Sequence, residues 1–445
     1  MVLDNRLLEV KKPKSQYLKI YNLNYNININ FVDFTLFLFC VFTAFFVKAQ
    51  NNVIIDPPEH IKSIVLRSQE TNNYTPIIRL GQRFTLEFDD LNTAQIEYSY
   101  KIEHYDYNWQ PSGLVGTEFI NGYTDDVIRD YEDSFNTFQG YTYYKLQIPN
   151  DNTRIKLSGN YVITILNEDS DVVFARPFIV YDSKVVVGVS THRSRNIATL
   201  NSKQNVQFTV NHPNLLINNP AQEIKVAVYQ NNDWNTVLKD IKPQFYRGTQ
   251  LLYKHIDKIS YWAGNEFLFF DTKLIRIATN NIARVDLNDI FDTYLYLDEE
   301  RLHKTYTLYP DINGNFVIRS LDVDQIATEA DYTWVHFALE SFENIGNNDV
   351  YIYGNFNGWQ LTKENKMTYD EALKRYTGKL LLKQGFYNYL YVTATKDGII
   401  NNHAIEGSFY QTENDYSVLV YYRPIGSRYD QVIGFGTVNS ENLRN

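Results

Sequence analysis

The chain has 445 residues, enough for about three domains, and its 44% hydrophobic and 21% charged residues make it globular rather than disordered. Its formal net charge of −10 argues against nucleic acid as the main partner, because phosphate binding needs a basic surface. A single cysteine excludes a disulfide framework and a cysteine-built zinc site. The 36 Tyr and 27 Phe favour pleated, half-buried surfaces.

The first element reads as an address. Residues 31–46 (FVDFTLFLFCVFTAFF) are apolar except for Asp33, follow Lys11, Lys12, Lys14 and Lys19, and precede Val47 and Ala49, which suit a signal peptidase. A cleaved signal peptide is expected over residues 1–49. The uninterrupted apolar run after Asp33 is shorter than the roughly 20 residues a membrane span needs. Cys40 follows Phe39 rather than a small residue, so lipid attachment is not expected there. Cleavage would leave a more acidic, cysteine-free chain with no later stretch long enough to span as a helix.

The rest reads as short strands. In residues 50–183, strands are expected at 61–67, 83–88 and 96–102. The last of these puts Ile96, Tyr98, Tyr100 and Ile102 on one face and Glu97, Ser99 and Lys101 on the other. Residues 161–166 and 172–181, joined by an acidic turn, form an expected hairpin whose second strand Pro177 would hold at an edge. A second β-rich domain is expected over 184–330, with strands at 185–189, 206–210, 224–229, 266–270 and 292–298. Asn313-Gly314 suggests a hairpin between 305–310 and 316–319. A third sandwich is expected over 331–425, followed by a C-terminal tail over 426–445. The fold class is thus all-β, a tandem series of immunoglobulin-like sandwiches.

Motifs for chemistry are sparse. Gly188-Val189-Ser190-Thr191-His192 begins like a nucleophile elbow but ends in His, and a strand-end serine is the preferred reading. His104 and Asp106 read as two polar groups sharing a strand face rather than as an acid–base pair. Asp125, Asp126, Asp130, Glu132 and Asp133 form an acidic run that reads as a solvated loop. The loop at Asp311 has its glycine in the wrong place for calcium. No enzyme activity, cofactor, metal site or small-molecule substrate is expected.

Two resemblances add to this. Tyr351-Ile352-Tyr353-Gly354-Asn355-Phe356-Asn357-Gly358-Trp359, followed by residues 385–392 (GFYNYLYV), resembles the glycogen-binding type of carbohydrate-binding module. That likeness implies Trp359 as a glycan contact, and with it an alternative function as a periplasmic or surface glycan-binding protein. The larger resemblance runs in order through residues 76–81 (PIIRLG), 88–91 (FDDL), 107–112 (YNWQPS), 134–137 (SFNT), 158–161 (SGNY), 264–267 (GNEF), 414–416 (NDY), 420–423 (VYYR) and 428–430 (RYD). Together these are similar to the plug protein family of the type IX secretion system of Bacteroidota. The resemblance implies a non-enzymatic periplasmic protein, peripherally associated with the outer-membrane β-barrel translocon, that seals the pore when no substrate is in transit. Tyr105, Tyr107 and Trp109 follow a phase break after Ile102 and are the candidate partner interface.

Overall fold

A computed structural model describes residues 53–69, 76–342, 345–346, 348–441 and 443. The expected signal peptide, with Cys40 and the cleavage point near Ala49, lies outside the described residues. The regular structure of the described chain is nearly all strand, arranged as three two-sheet sandwiches, which agrees with the all-β expectation.

In the first sandwich, one sheet runs Ile61–Ser68, Phe84–Asp90, Thr142–Ile148, Asp130–Asp133. The other runs Ile77–Arg79, Val172–Tyr181, Gly159–Leu166, Ser99–Tyr105, Asp125–Val127. The period-two face behaves as read, with Tyr98, Tyr100 and Ile102 buried and Lys101 exposed. Aromatic rings fill the space between the sheets, with Phe88 stacked on Tyr144 and Tyr161 on Phe178. A tyrosine-rich core is tolerable because each hydroxyl finds a partner. Tyr98 donates to Asp90, Tyr144 to the Ile96 carbonyl and Tyr161 to the Leu157 carbonyl.

The hairpin of Gly159–Leu166 with Val172–Tyr181 is present. Its second strand is not a simple edge, because Ile55 bridges Ala175 and Ile77–Arg79 runs parallel to residues 179–181 on its outer side. Pro177 falls in the gap between those two neighbours, where its missing N–H breaks no ladder.

The second sandwich places Val186–Arg193, Lys203–Asn211, Gln250–Tyr253 and Phe245–Arg247 against a sheet of Ile224–Gln230, Asp415–Tyr422 and Gln431–Asn439. The chain leaves this sandwich after Ser260–Trp262, builds the third, and returns at Asp415. The third sandwich is therefore an insertion. One of its sheets centres on Gly385–Ala394, flanked by Leu268–Asp271, Phe316–Ile318 and Asp349–Tyr353. The other runs Ile282–Leu287, Phe291–Leu295, Tyr332–Glu340, Arg375–Lys383, Thr368–Asp370.

The architecture departs from the expected limits of 184–330, 331–425 and a tail at 426–445. Strands at 268–271 and 291–295 belong to the third sandwich, while the expected tail supplies Gln431–Asn439 to the second. Residues 305–310 form no strand, and Phe316–Ile318 pairs with residues 385–387 instead. Asn313 and Gly314 do make a tight turn, with φ of 54° and 78°.

Each sandwich touches the other two through buried polar contacts. Tyr421 of the second donates to Asn160 of the first. Tyr353 of the third donates to Asp233 of the second, at 2.7 Å. Between first and third, Lys383 Nζ lies 2.8 Å from Asp89 Oδ2, which also accepts from the Tyr332 hydroxyl at 2.6 Å.

Candidate partner interface

The alternation runs on past Ile102, with His104 buried in the strand Ser99–Tyr105, and breaks instead at Asp106, in a side-chain-supported turn. Asp106 Oδ1 accepts from the N–H groups of Asn108 and Gln110, the Asp106 N–H donates to the Gln110 carbonyl, and Trp109 adopts φ +60°. Asp at the head of such a turn ties up its own backbone this way. The turn throws Tyr107 and Trp109 off the end of the first sandwich and into the second.

Tyr107 is 1% exposed. Its hydroxyl donates to the Val226 carbonyl at 2.8 Å, its N–H donates to Asp430, and its ring meets Tyr421 edge to face. Lys225 and Lys239 Nζ lie 4.9 and 5.2 Å from the ring centroid. Burial pushes the phenol up to about 12. Trp109, half-buried, meets Trp234 of the second sandwich edge to face at 5.6 Å, and Tyr105 lies beside Trp109. The expected outward direction is therefore corrected for Tyr107, which serves a contact within the chain and leaves no face for another protein, while Tyr105 and Trp109 stay partly exposed.

Trp359 is likewise covered. It is 3% exposed, packs on Tyr353 and Phe267, and its carbonyl accepts from Asn235 of the second sandwich at 2.7 Å. The ring is enclosed, so the open flat surface a sugar needs is absent at this residue. Gly314 is required beside it, because a Cβ there would fall 2.3 Å from the Trp359 ring and φ is +78°. Trp109, Trp234 and Trp359, one from each sandwich, thus gather where the three bodies meet.

The remaining candidates do not assemble chemistry. His104 faces Phe119, Tyr161 and Tyr429. Neither of its ring nitrogens makes a well-formed hydrogen bond, and burial lowers its pKa to about 4 against a partial upward pull from the Ser158 backbone. Asp106 is occupied by its turn. Ser190 Oγ does lie 3.2 Å from His192 Nε2, but both sit within the regular strand Val186–Arg193 rather than at a strand-to-helix elbow. In the acidic run, the Arg129 guanidinium holds Asp126 well below the usual carboxylate range, and Asp133 accepts from Thr142 and Gln95. Among the described residues, no group of three His, Cys, Asp or Glu is placed to hold a metal.

Sequence reasoning missed the buried charges at the joints. Burial pushes Asp89 up against the opposing pull of Lys383, and pushes Lys383 down. Burial raises Asp233, under Tyr353, to about 6. Where the chain passes between second and third sandwiches, Asp311 and Glu413 are both raised to about 7 by burial. Lys383, which ends the apolar run Leu380–Leu382, was the one such signal, and it carries no record of its partner.

Residues 61–182, the first sandwich, match the family model described as the type 9 secretion system plug protein 1st domain. A crystal structure of a hypothetical protein from Parabacteroides merdae ATCC 43184 is similar to nearly the whole chain. It shares 32% identity and a TM-score of 0.83, covering 87% of this chain and 98% of that one. The chain belongs to one family with it. The first-domain match points to a role in type IX secretion, and it indicates no catalytic family. Among curated proteins, none matches. Among the described residues, no helix is long and apolar enough to cross a membrane.

Proposed function

We propose that the chain is a plug. In this reading it is exported through a cleaved signal at residues 1–49, binds the periplasmic mouth of the type IX outer-membrane translocon and seals the pore when no substrate is in transit. It acts by occupying space and transforms no molecule.

The observation that carries the reading is the first-domain match over residues 61–182. The joints support it mechanically. A stopper must keep its shape when pressed, and interiors this closely packed transmit strain rather than yield. Three sandwiches held by the tryptophan junction and by the Asp89–Lys383 pair form a body suited to that task. Tyr107 and Trp359 serve those joints, so the translocon contact is assigned to other surface residues, the partly exposed Tyr105 and Trp109 among the candidates.

Affinity purification of the tagged chain from envelope extracts tests the binding. A giant outer-membrane β-barrel as the principal partner is expected. Recovery of only soluble glycans or small proteins would remove the reading.

A further inference from the structure

Residues 305–310 (TYTLYP) have the composition and alternation of a strand, and they run without turn or bend. Among the described residues, no backbone N–H or C=O of this segment takes part in a backbone–backbone hydrogen bond, and no strand pairs with it. Tyr306 anchors it through its hydroxyl, which donates to Glu266 and lies 3.3 Å from the Gln411 carbonyl. The alternate residues Thr305, Thr307 and Tyr309 line a groove of about 960 Å³ in the third sandwich, whose other walls include Asn280, Asn281 and Phe269.

The rim is unusually apolar for a free surface. Tyr296, Leu297 and Tyr309, all lining the groove, are 62%, 47% and 52% exposed. Exposed apolar groups collected in this way mark interaction sites. The groove's charges are answered internally. Lys304 pairs with Glu299, Arg301 pairs with Glu406, and Asp298 accepts from the hydroxyls of Tyr389 and Tyr391. An ionic ligand would find no unpaired counter-charge here, whereas a neutral chain would lose little on entering.

We propose that this groove receives an extended, uncharged polypeptide segment with alternating apolar side chains, which pairs with residues 305–310 as an added β-strand. An unpaired strand edge supplies affinity through main-chain hydrogen bonds, and neighbouring pockets read alternate side chains. The segment offers about 20 Å of edge, enough for about six guest residues. This inference does not depend on pore sealing, so the two stand or fall on different measurements.

The test is selection of a displayed random twelve-residue peptide library on the intact exported chain. The best peptide is then titrated by fluorescence anisotropy in unmodified form and with alternate backbone nitrogens methylated. The selected peptide should alternate in apolar residues. Alternate N-methylation, and separately Thr307→Pro in the protein, should each weaken binding at least about tenfold, the scale of losing one or more main-chain hydrogen bonds. Thr307 is exposed and outside every strand, so the thermal transition should not move. Binding that survives either change, or a library that yields no enriched peptide, overturns the proposal.

Discussion

Lys383 Nζ and Asp89 Oδ2 lie 2.8 Å apart, with side chains only 3% and 1% exposed, and they join the third sandwich to the first. Lys383 also donates to the Ala327 carbonyl and sits 4.0 Å from the Tyr141 ring centroid. Its burial is therefore supported on several sides. Removing one partner strands the other charge away from water. Lys383→Met should cost about 3–5 kcal/mol in chemical denaturation, and adding Asp89→Asn should recover part of that loss. A loss below about 1 kcal/mol would mean that the pair is as weak as an exposed one.

Tyr107 gives a second test of how firmly the sandwiches are joined. Tyr107→Phe leaves the buried Val226 carbonyl without this donor and should cost about 1–3 kcal/mol. Tyr107→Ala also opens a cavity and should cost about 3–5 kcal/mol. If Tyr107→Ala left the melting temperature unchanged, the ring would not be packed between the two sandwiches as described.

His104 sets a slope in the pH dependence of stability. Its folded pKa of about 4 lies below the unfolded value near 6.5, so the unfolded chain binds the extra proton in that window. Its contribution is complete above pH 6.5 and is lost as pH falls toward 4, amounting to about 3 kcal/mol. His104→Leu should flatten that limb of the stability profile. An unchanged slope in the variant would place the effect elsewhere.

Asp311 and Glu413 act with the opposite sign. Both are raised to about 7, so the folded chain holds the extra proton and loses stability as pH rises from the ordinary carboxylate range through 7. Asn313 donates to Glu413 and Asp415, and the Asp311 carboxylate accepts from the N–H of Phe267, so the group spans the passage between second and third sandwiches. Glu413→Gln should reduce the decline toward neutral pH, read as urea midpoints between pH 5 and 8. A decline as steep as in the parent would contradict this assignment.

Trp359→Ala should behave as the loss of a buried aromatic, costing about 3–5 kcal/mol. Calorimetric titration of the parent with a glycogen-type oligosaccharide should show no heat that this substitution removes. Saturable sugar binding lost in Trp359→Ala would revive the glycan reading.

What was legible in the sequence was local. The face of Tyr98, Tyr100 and Ile102 announced itself because period two depends only on near neighbours. The hairpin ending at Tyr181 was visible because its turn is short. The pairing of Ile224–Gln230 with Asp415–Tyr422 was not, since nothing in either strand records its partner across an inserted domain. Tyr107 was singled out for a phase break expected after Ile102, which falls instead at the Asp106 turn, and the direction it takes depends on the second sandwich, which supplies Val226 and Asp430. Trp359 was noticed for its turn, and the tertiary neighbours that cover it were invisible.

The most direct test of the account is outer-membrane permeability in cells that make the translocon but lack this chain. Entry of a large antibiotic or a fluorescent dye normally kept out should rise sharply, and the wild-type chain should restore the barrier. An intact barrier in the deletion strain, with the translocon present at normal levels, would contradict it.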